Sequence, residues 1–146
     1  MADRFENDIK QLNSFLRGEL SAVETYDQAI QKLASESAVV SSLRQSRDSH
    51  QRRADALRTE IQRLGGKPSD GSGMWGSFAK LVQGTSNALG KKAAVSALEE
   101  GEDHGRDDYL RDLDSLSPEV RTFVQSQLVP EQHKTHDMLS QLKKGM

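Results

Sequence analysis

Ionisable side chains interrupt the apolar stripes of this 146-residue chain at positions that could do chemistry. Glu19 falls in the series Leu12, Phe15/Leu16, Glu19, Val23, Tyr26, Ile30, and Glu102 follows Leu98 on a second stripe that leads to Tyr109, with Gly105 making room. His50 lies between Leu43 and Leu57, and His133 and His136 lie between Leu128 and Leu139. A buried carboxylate is costly unless it is paired, protonated or bound to a metal. Two carboxylates with two imidazoles suit zinc, iron or manganese. The same residues could equally form a polar layer satisfied by its own hydrogen bonds. Both readings stay open from the residues alone.

There is an internal echo. Glu19 precedes Tyr26 by seven residues, and Glu102 precedes Tyr109 by seven. Seven residues make two helical turns, so each Glu shares a face with its Tyr. His50 and His133 then mark the second member of each helical pair. Two related hairpins, each with a Glu–Tyr helix and a His helix, fit this pattern.

Four helical stretches must position these groups: about 8–34, 36–64, 91–116 and 118–143. Each carries apolar residues at three- and four-residue steps. The second should stop at Gly65–Gly66, with Pro68 beyond. The fourth opens with Ser117 as cap and Pro118 at its first position, and Pro130 should bend it. Short joints make helices one and two antiparallel neighbours, and likewise three and four. The crossover 65–90 begins with turn material and then reads as one or two short amphipathic helices, with Trp75, Phe78, Leu81, Val82 and Leu89 as anchors. Trp75 reads as a plug over one end of the bundle. The expected fold is all-α: one domain over 1–146, with two antiparallel hairpins joined by a long crossover containing a short helix.

At this point the motifs resemble a family. GELSAVETY is similar to the first helix of ferritins, which places a metal-binding Glu on Glu19. RRADALRTEIQRLGGKP resembles the family's second helix and its Gly-Xaa-Pro exit, and counting back from Pro68 places two ligand slots on His50 and Arg53. EEGEDHGRDDY places the third-helix Glu on Glu102, and PEQHKTHDMLSQL places the last two slots on His133 and His136. Over nearly its whole length the chain resembles the small bacterial DUF2383-type group of the ferritin-like superfamily. That resemblance implies a ferritin-like four-helix bundle and brings no established activity. It also exposes departures. A carboxylate-bridged di-iron centre takes a Glu from each of two helices and Glu-Xaa-Xaa-His from the other two. Here both Glu positions of those motifs are His and one His position is Arg53, so four carboxylates fall to two. Arginine cannot coordinate and brings a permanent charge, which could pair with Glu19 or Glu102. Tyr26 and Tyr109 read as aromatic packing with each hydroxyl bonded to a nearby carboxylate.

The remaining features set limits. The chain has no Cys, which removes thiolate nucleophiles and thiolate metal sites and fits a cytoplasmic location. No apolar run approaches a membrane span, and MADRFENDIK lacks the pattern of an export signal. Met74–Lys92 mixes Trp, Phe, Leu and Lys, but its apolar face is short for a membrane-surface helix. Lys plus Arg number 20 and Asp plus Glu number 22, with the acidic excess toward the C-terminus, which argues against nucleic acid. Glu99, Glu100, Asp103, Asp107, Asp108, Asp112 and Asp114 read as a solvated acidic face, with His104 toward solvent. No catalytic residue and no cofactor-binding residue is assigned. The expected function is a non-enzymatic structural or partner-binding bundle, a homodimer with scope for a protein partner. The alternative is an iron, manganese or zinc protein or oxidoreductase using Glu19, His50, Glu102, His133 and His136.

Overall fold

The apolar stripes fold as helices, and the computed structural model describes residues 5–70 and 90–146. α1 (Glu6–Lys32) and α2 (Ser37–Arg63) each run 27 residues, about 40 Å at 1.5 Å per residue. α3 (Gly90–Asp112) ends in a single 3-10 turn at Leu113–Ser115. The last helical stretch comes in three pieces: α4 (Pro118–Phe123), a π-helical turn (Val124–Leu128) and α5 (Val129–Lys144).

Sequence-local chemistry ends α2 where its glycines stand. Gly65 adopts a φ of 87°, the left-handed conformation that a side chain disfavours. The Gly66 amide donates to Ile61 O at 2.9 Å and the Gly65 amide to Gln62 O at 3.0 Å, closing the helix end. A Cβ on Gly66 would lie 2.7 Å from the Ile9 side chain, so α1 also needs a glycine there. Asn13 then holds the exit strand to α1, donating to Lys67 O and accepting from the Ser69 amide.

α1 packs along α2, and α3 along α5, as two antiparallel hairpins; α1 also meets α3, and α2 meets α5. One apolar cluster joins Leu12 and Leu16 to Leu57, Ile61, Tyr109 and Val120. The other joins Tyr26 and Ala29 to Val40, Leu43, Leu98 and Leu139. The start of α1 therefore lies with the end of α3, and the end of α2 with the start of α4. α2 ends in the first cluster and α3 begins in the second, at the opposite end of the bundle. This is a four-helix bundle of two hairpins joined by a crossover. The expected short helix, the Trp75 plug with Phe78, Leu81, Val82 and Leu89, and most of Met74–Lys92 lie outside the described residues. No helix among the described residues is long and apolar enough to cross a membrane.

Pro130 is the second residue of α5, and the irregularity of the last helical stretch is the π turn just before it. Val120, Val124, Leu128 and Gln132 are all buried although they recur every four residues. On a regular helix such a row drifts by about 40° per step, and the wider π turn takes up the drift.

Ser117 does stand at the start of α4, but its hydroxyl makes no cap bond. The buried Asp8 of α1 takes both groups instead: the Ser117 amide donates to Oδ1 at 2.9 Å and the hydroxyl to Oδ2 at 2.8 Å. Arg121 covers the carbonyls of Leu113 and Leu116. The second hairpin is thus anchored on α1. Asp8→Ala should lower stability by about 1–3 kcal/mol, since it orphans a part-buried amide and hydroxyl; urea unfolding of the full chain measures the loss.

Candidate functional site

Between the two apolar clusters lies a polar layer to which α1, α2, α3 and α5 contribute. Glu19 of α1 is 5% exposed, His50 and Arg53 of α2 are 2% and 1%, and Glu102 of α3 is 1%. Gln132 and Thr135 of α5 complete it and are equally buried.

His50 is the centre. Its Nδ1 lies 2.6 Å from Glu19 Oε2 and its Nε2 2.6 Å from Glu102 Oε2. An ionised carboxylate only accepts, so both ring nitrogens must donate and the ring is an imidazolium. Tyr109 donates to Glu19 Oε1 at 2.6 Å, and Tyr26 donates to Glu102 Oε2 at 2.5 Å. Each tyrosine therefore serves the glutamate of the opposite hairpin. Arg53 Nη1 lies 3.6 Å from Glu19 Oε1, and Arg53 Nη2 donates to Thr135 Oγ1 at 3.0 Å. Thr135 passes that bond on by donating to Glu102 Oε1 at 2.7 Å. Gln132 Nε2 donates to the Glu102 carbonyl at 2.8 Å.

The charges close on themselves. Two glutamates are balanced by His50 and Arg53, so the layer is neutral. Burial alone would push the Glu102 carboxyl up, but His50, Arg53 and the Tyr26 hydrogen bond outweigh it and hold the group at about 2. Burial likewise opposes ionisation of Glu19, and Arg53 and His50 overcome it, leaving the carboxyl below its ordinary value. Burial and Arg53 both press His50 toward neutrality, and the two carboxylates reverse them and raise it. Burial, then the adjacent carboxylate, pushes each tyrosine well above its ordinary value, so both phenols remain neutral donors.

The last two anticipated slots are corrected. His133 is exposed, and His136 is half-buried and turned to Asp103, with Nε2 2.5 Å from Oδ1. The fourth-helix row reaches the layer one residue earlier, at Gln132 and Thr135. The physical reason is the row of four-residue steps through the π turn. Continuing Val120, Val124 and Leu128 by another four lands on Gln132. Neutral side chains carry no ligand signal in the sequence, yet these two keep the three-residue spacing anticipated for the pair.

Some of the acidic face of α3 is engaged. Glu99 accepts from Ser140 and Lys143 of α5, Asp103 meets His136, and Asp108 pairs with Arg111. His104 is exposed, as its helical position implied, and lies 3.3 Å from Asp108.

For metal chemistry the orientation of His50 is decisive. Its two nitrogens point in opposite directions into Glu19 and Glu102, whereas ligands must converge on one point. Among the described residues no group of three or more His, Asp or Glu side chains could hold a metal ion. The fold and the layer define a ferritin-like bundle with degenerate ligand positions. A family model described as "Domain of unknown function (DUF2383)" matches residues 7–115, and the chain belongs to that family. The match spans α1 through the 3-10 turn and leaves Gln132 and Thr135 beyond it. No curated protein and no solved structure matches the chain.

The layer sets a pH window. Glu102 is held below its ordinary 4.5, so its contribution to stability is present above that value and lost as pH falls toward about 2. His50 is raised above its ordinary 6.5, so its contribution is full below that value and lost as pH climbs through the raised one. Stability should peak between the two, as urea midpoints taken across pH will show. Glu102→Gln leaves His50 and Arg53 undercompensated and should cost about 3–5 kcal/mol, with a weaker acid limb.

Proposed function

We propose that this chain is a non-enzymatic helical bundle serving as a structural or partner-binding protein, with the Glu/His/Arg layer as its internal register lock. One observation carries the reading: His50 occupies both glutamates at once, 2.6 Å from each, with Arg53 beside Glu19. A proton and a fixed cation sit at the slots that the ferritin resemblance assigns to metal ligands, so the charge that a metal would supply is already present. A metal ion would have to displace the imidazolium from both carboxylates and then face a guanidinium that cannot lose its proton.

The proposal extends to the whole molecule. The bundle is one domain over 1–146 that self-associates as a homodimer through the α1–α2 hairpin, in the cytoplasm. The long paired helices and the cysteine-free composition support that extension.

Elemental analysis of protein purified without chelator tests the reading. The expected result is iron, manganese and zinc well below one equivalent, with a melting temperature unchanged when each metal is added. One equivalent of metal, lost in a Glu19→Ala/Glu102→Ala double variant, would overturn it in favour of a metal-binding protein.

A further inference from the structure

The polar layer borders a cavity of about 20 Å³. That exceeds the roughly 10–15 Å³ needed to hold one water molecule. Two of its lining side chains, Arg53 and Gln132, each keep one buried atom without a hydrogen-bond partner. Those atoms are Arg53 Nη1, a donor, and Gln132 Oε1, an acceptor. The amide orientation of Gln132 is fixed chemically, because Nε2 donates to the Glu102 carbonyl at 2.8 Å and only a nitrogen can do so. Both orphans belong to side chains no more than 2% exposed.

Charge selects the occupant. Glu19 and Glu102 line the same cavity and disfavour an anion, while Arg53 and the His50 imidazolium disfavour a cation. The layer is neutral as it stands, so a neutral occupant leaves it balanced. It must accept one hydrogen bond and donate another. We propose that the cavity is a site for a single water molecule, which accepts from Arg53 Nη1 and donates to Gln132 Oε1. A buried donor and a buried acceptor left unsatisfied each keep the full penalty of leaving water, so the water completes the layer's hydrogen bonding. Exchange with solvent runs between α1 and α3, where the part-exposed Gly18 and Gly105 line the cavity. A Cβ placed on Gly105 meets nothing within 4 Å.

This inference deepens the reading of the layer as a closed structural element and rests on it. The test is a high-resolution crystal structure of the full chain, with water–protein cross-relaxation measured by NMR. The expected result is a peak within hydrogen-bond distance of both atoms and a long-lived water signal at the Gln132 side-chain amide. In Gln132→Met, which keeps the bulk and removes the acceptor, the peak should be lost. In Gly105→Ala, which adds only a methyl group beside open space, it should persist. An empty cavity in the wild-type protein, or an unchanged peak in Gln132→Met, overturns the inference and leaves the structural reading intact. Crystals soaked in bromide and in manganese give the other arms. An anomalous bromide peak in the cavity overturns the neutral occupant. An anomalous manganese peak there overturns the structural reading as well.

Discussion

His50 reaches Glu19 with one ring nitrogen and Glu102 with the other, and through that pair of contacts α2 is tied to α1 and α3 at one level of the bundle. Arg53, one turn further on, ties α2 to α5 through Thr135. Two magnitudes decide what the arrangement is worth. At an effective dielectric constant of about 20, unit charges about 4 Å apart attract by roughly 4 kcal/mol. Taking each ion out of water costs several kcal/mol. With four ions and three close opposite contacts the terms are of the same order, so the layer adds little net stability over an apolar one. What it adds is a penalty on every other arrangement. If one helix slides by a turn, at least one ion is left buried without its partner, whereas a Leu row would tolerate the slip. The layer is thus better understood as fixing which residues face each other than as holding the helices together, a task left to the apolar clusters on either side.

The two hairpins echo each other in their Glu–Tyr spacing and differ in charge. Glu19 with Tyr26 and Glu102 with Tyr109 are equivalent pairs, and each tyrosine crosses to the other hairpin's glutamate. On the partner helices the equivalence is broken. α2 supplies His50 and Arg53, both cations, while α5 supplies Gln132 and Thr135, both neutral. Four ionic ligands around a divalent ion would have asked for similar groups on both sides. A self-compensating layer asks only that cations equal anions, and placing both cations on α2 meets that condition. The neutral pair then has a different task, which is to saturate Glu102: Thr135 fills Oε1 and Gln132 takes the backbone carbonyl.

The buried Glu/His/Arg layer was legible because it interrupts stripes whose period is local and strong. Glu19 falls on the row that runs from Leu16 to Val23, and Glu102 on the row that runs from Leu98 to Tyr109, so each of the two points inward. The hairpin pairing was legible from short joints, and the end of α2 from Gly65, whose positive φ the turn requires. The fourth helix was not legible in the same way. Its slots fall on His133 and His136 by resemblance of PEQHKTHDMLSQL and not by period: on a 3.6-residue wheel Gln132 and Thr135 lie within about 40° of Leu128 and His133 about 140° from it. The role of Asp8 is illegible in the sequence for another reason. In the first turn of a helix an acidic residue reads as a partner of the helix dipole, and nothing local reveals that Ser117, at the other end of the chain, will fold onto it.

Arg53 distinguishes this interior from a metal centre that has merely lost some ligands. A site in which Glu became His would still present lone pairs, since imidazole coordinates once its proton leaves. Its affinity for metal would be reduced but recoverable at higher pH. Arginine removes that route, because the guanidinium keeps its charge at any pH the fold survives, and Glu19 and Glu102 hold the proton more firmly still. The charge of Arg53 in turn shapes His50. With Arg53 nearby the imidazole would tend to be neutral, and it stays protonated only because two carboxylates face it. Remove either carboxylate and the ring loses the reason for its charge. The three ionic residue types are therefore interdependent: Arg53 makes a second full cation costly, the two glutamates make it necessary, and the histidine, the one group whose ordinary value lies near neutrality, adjusts to both.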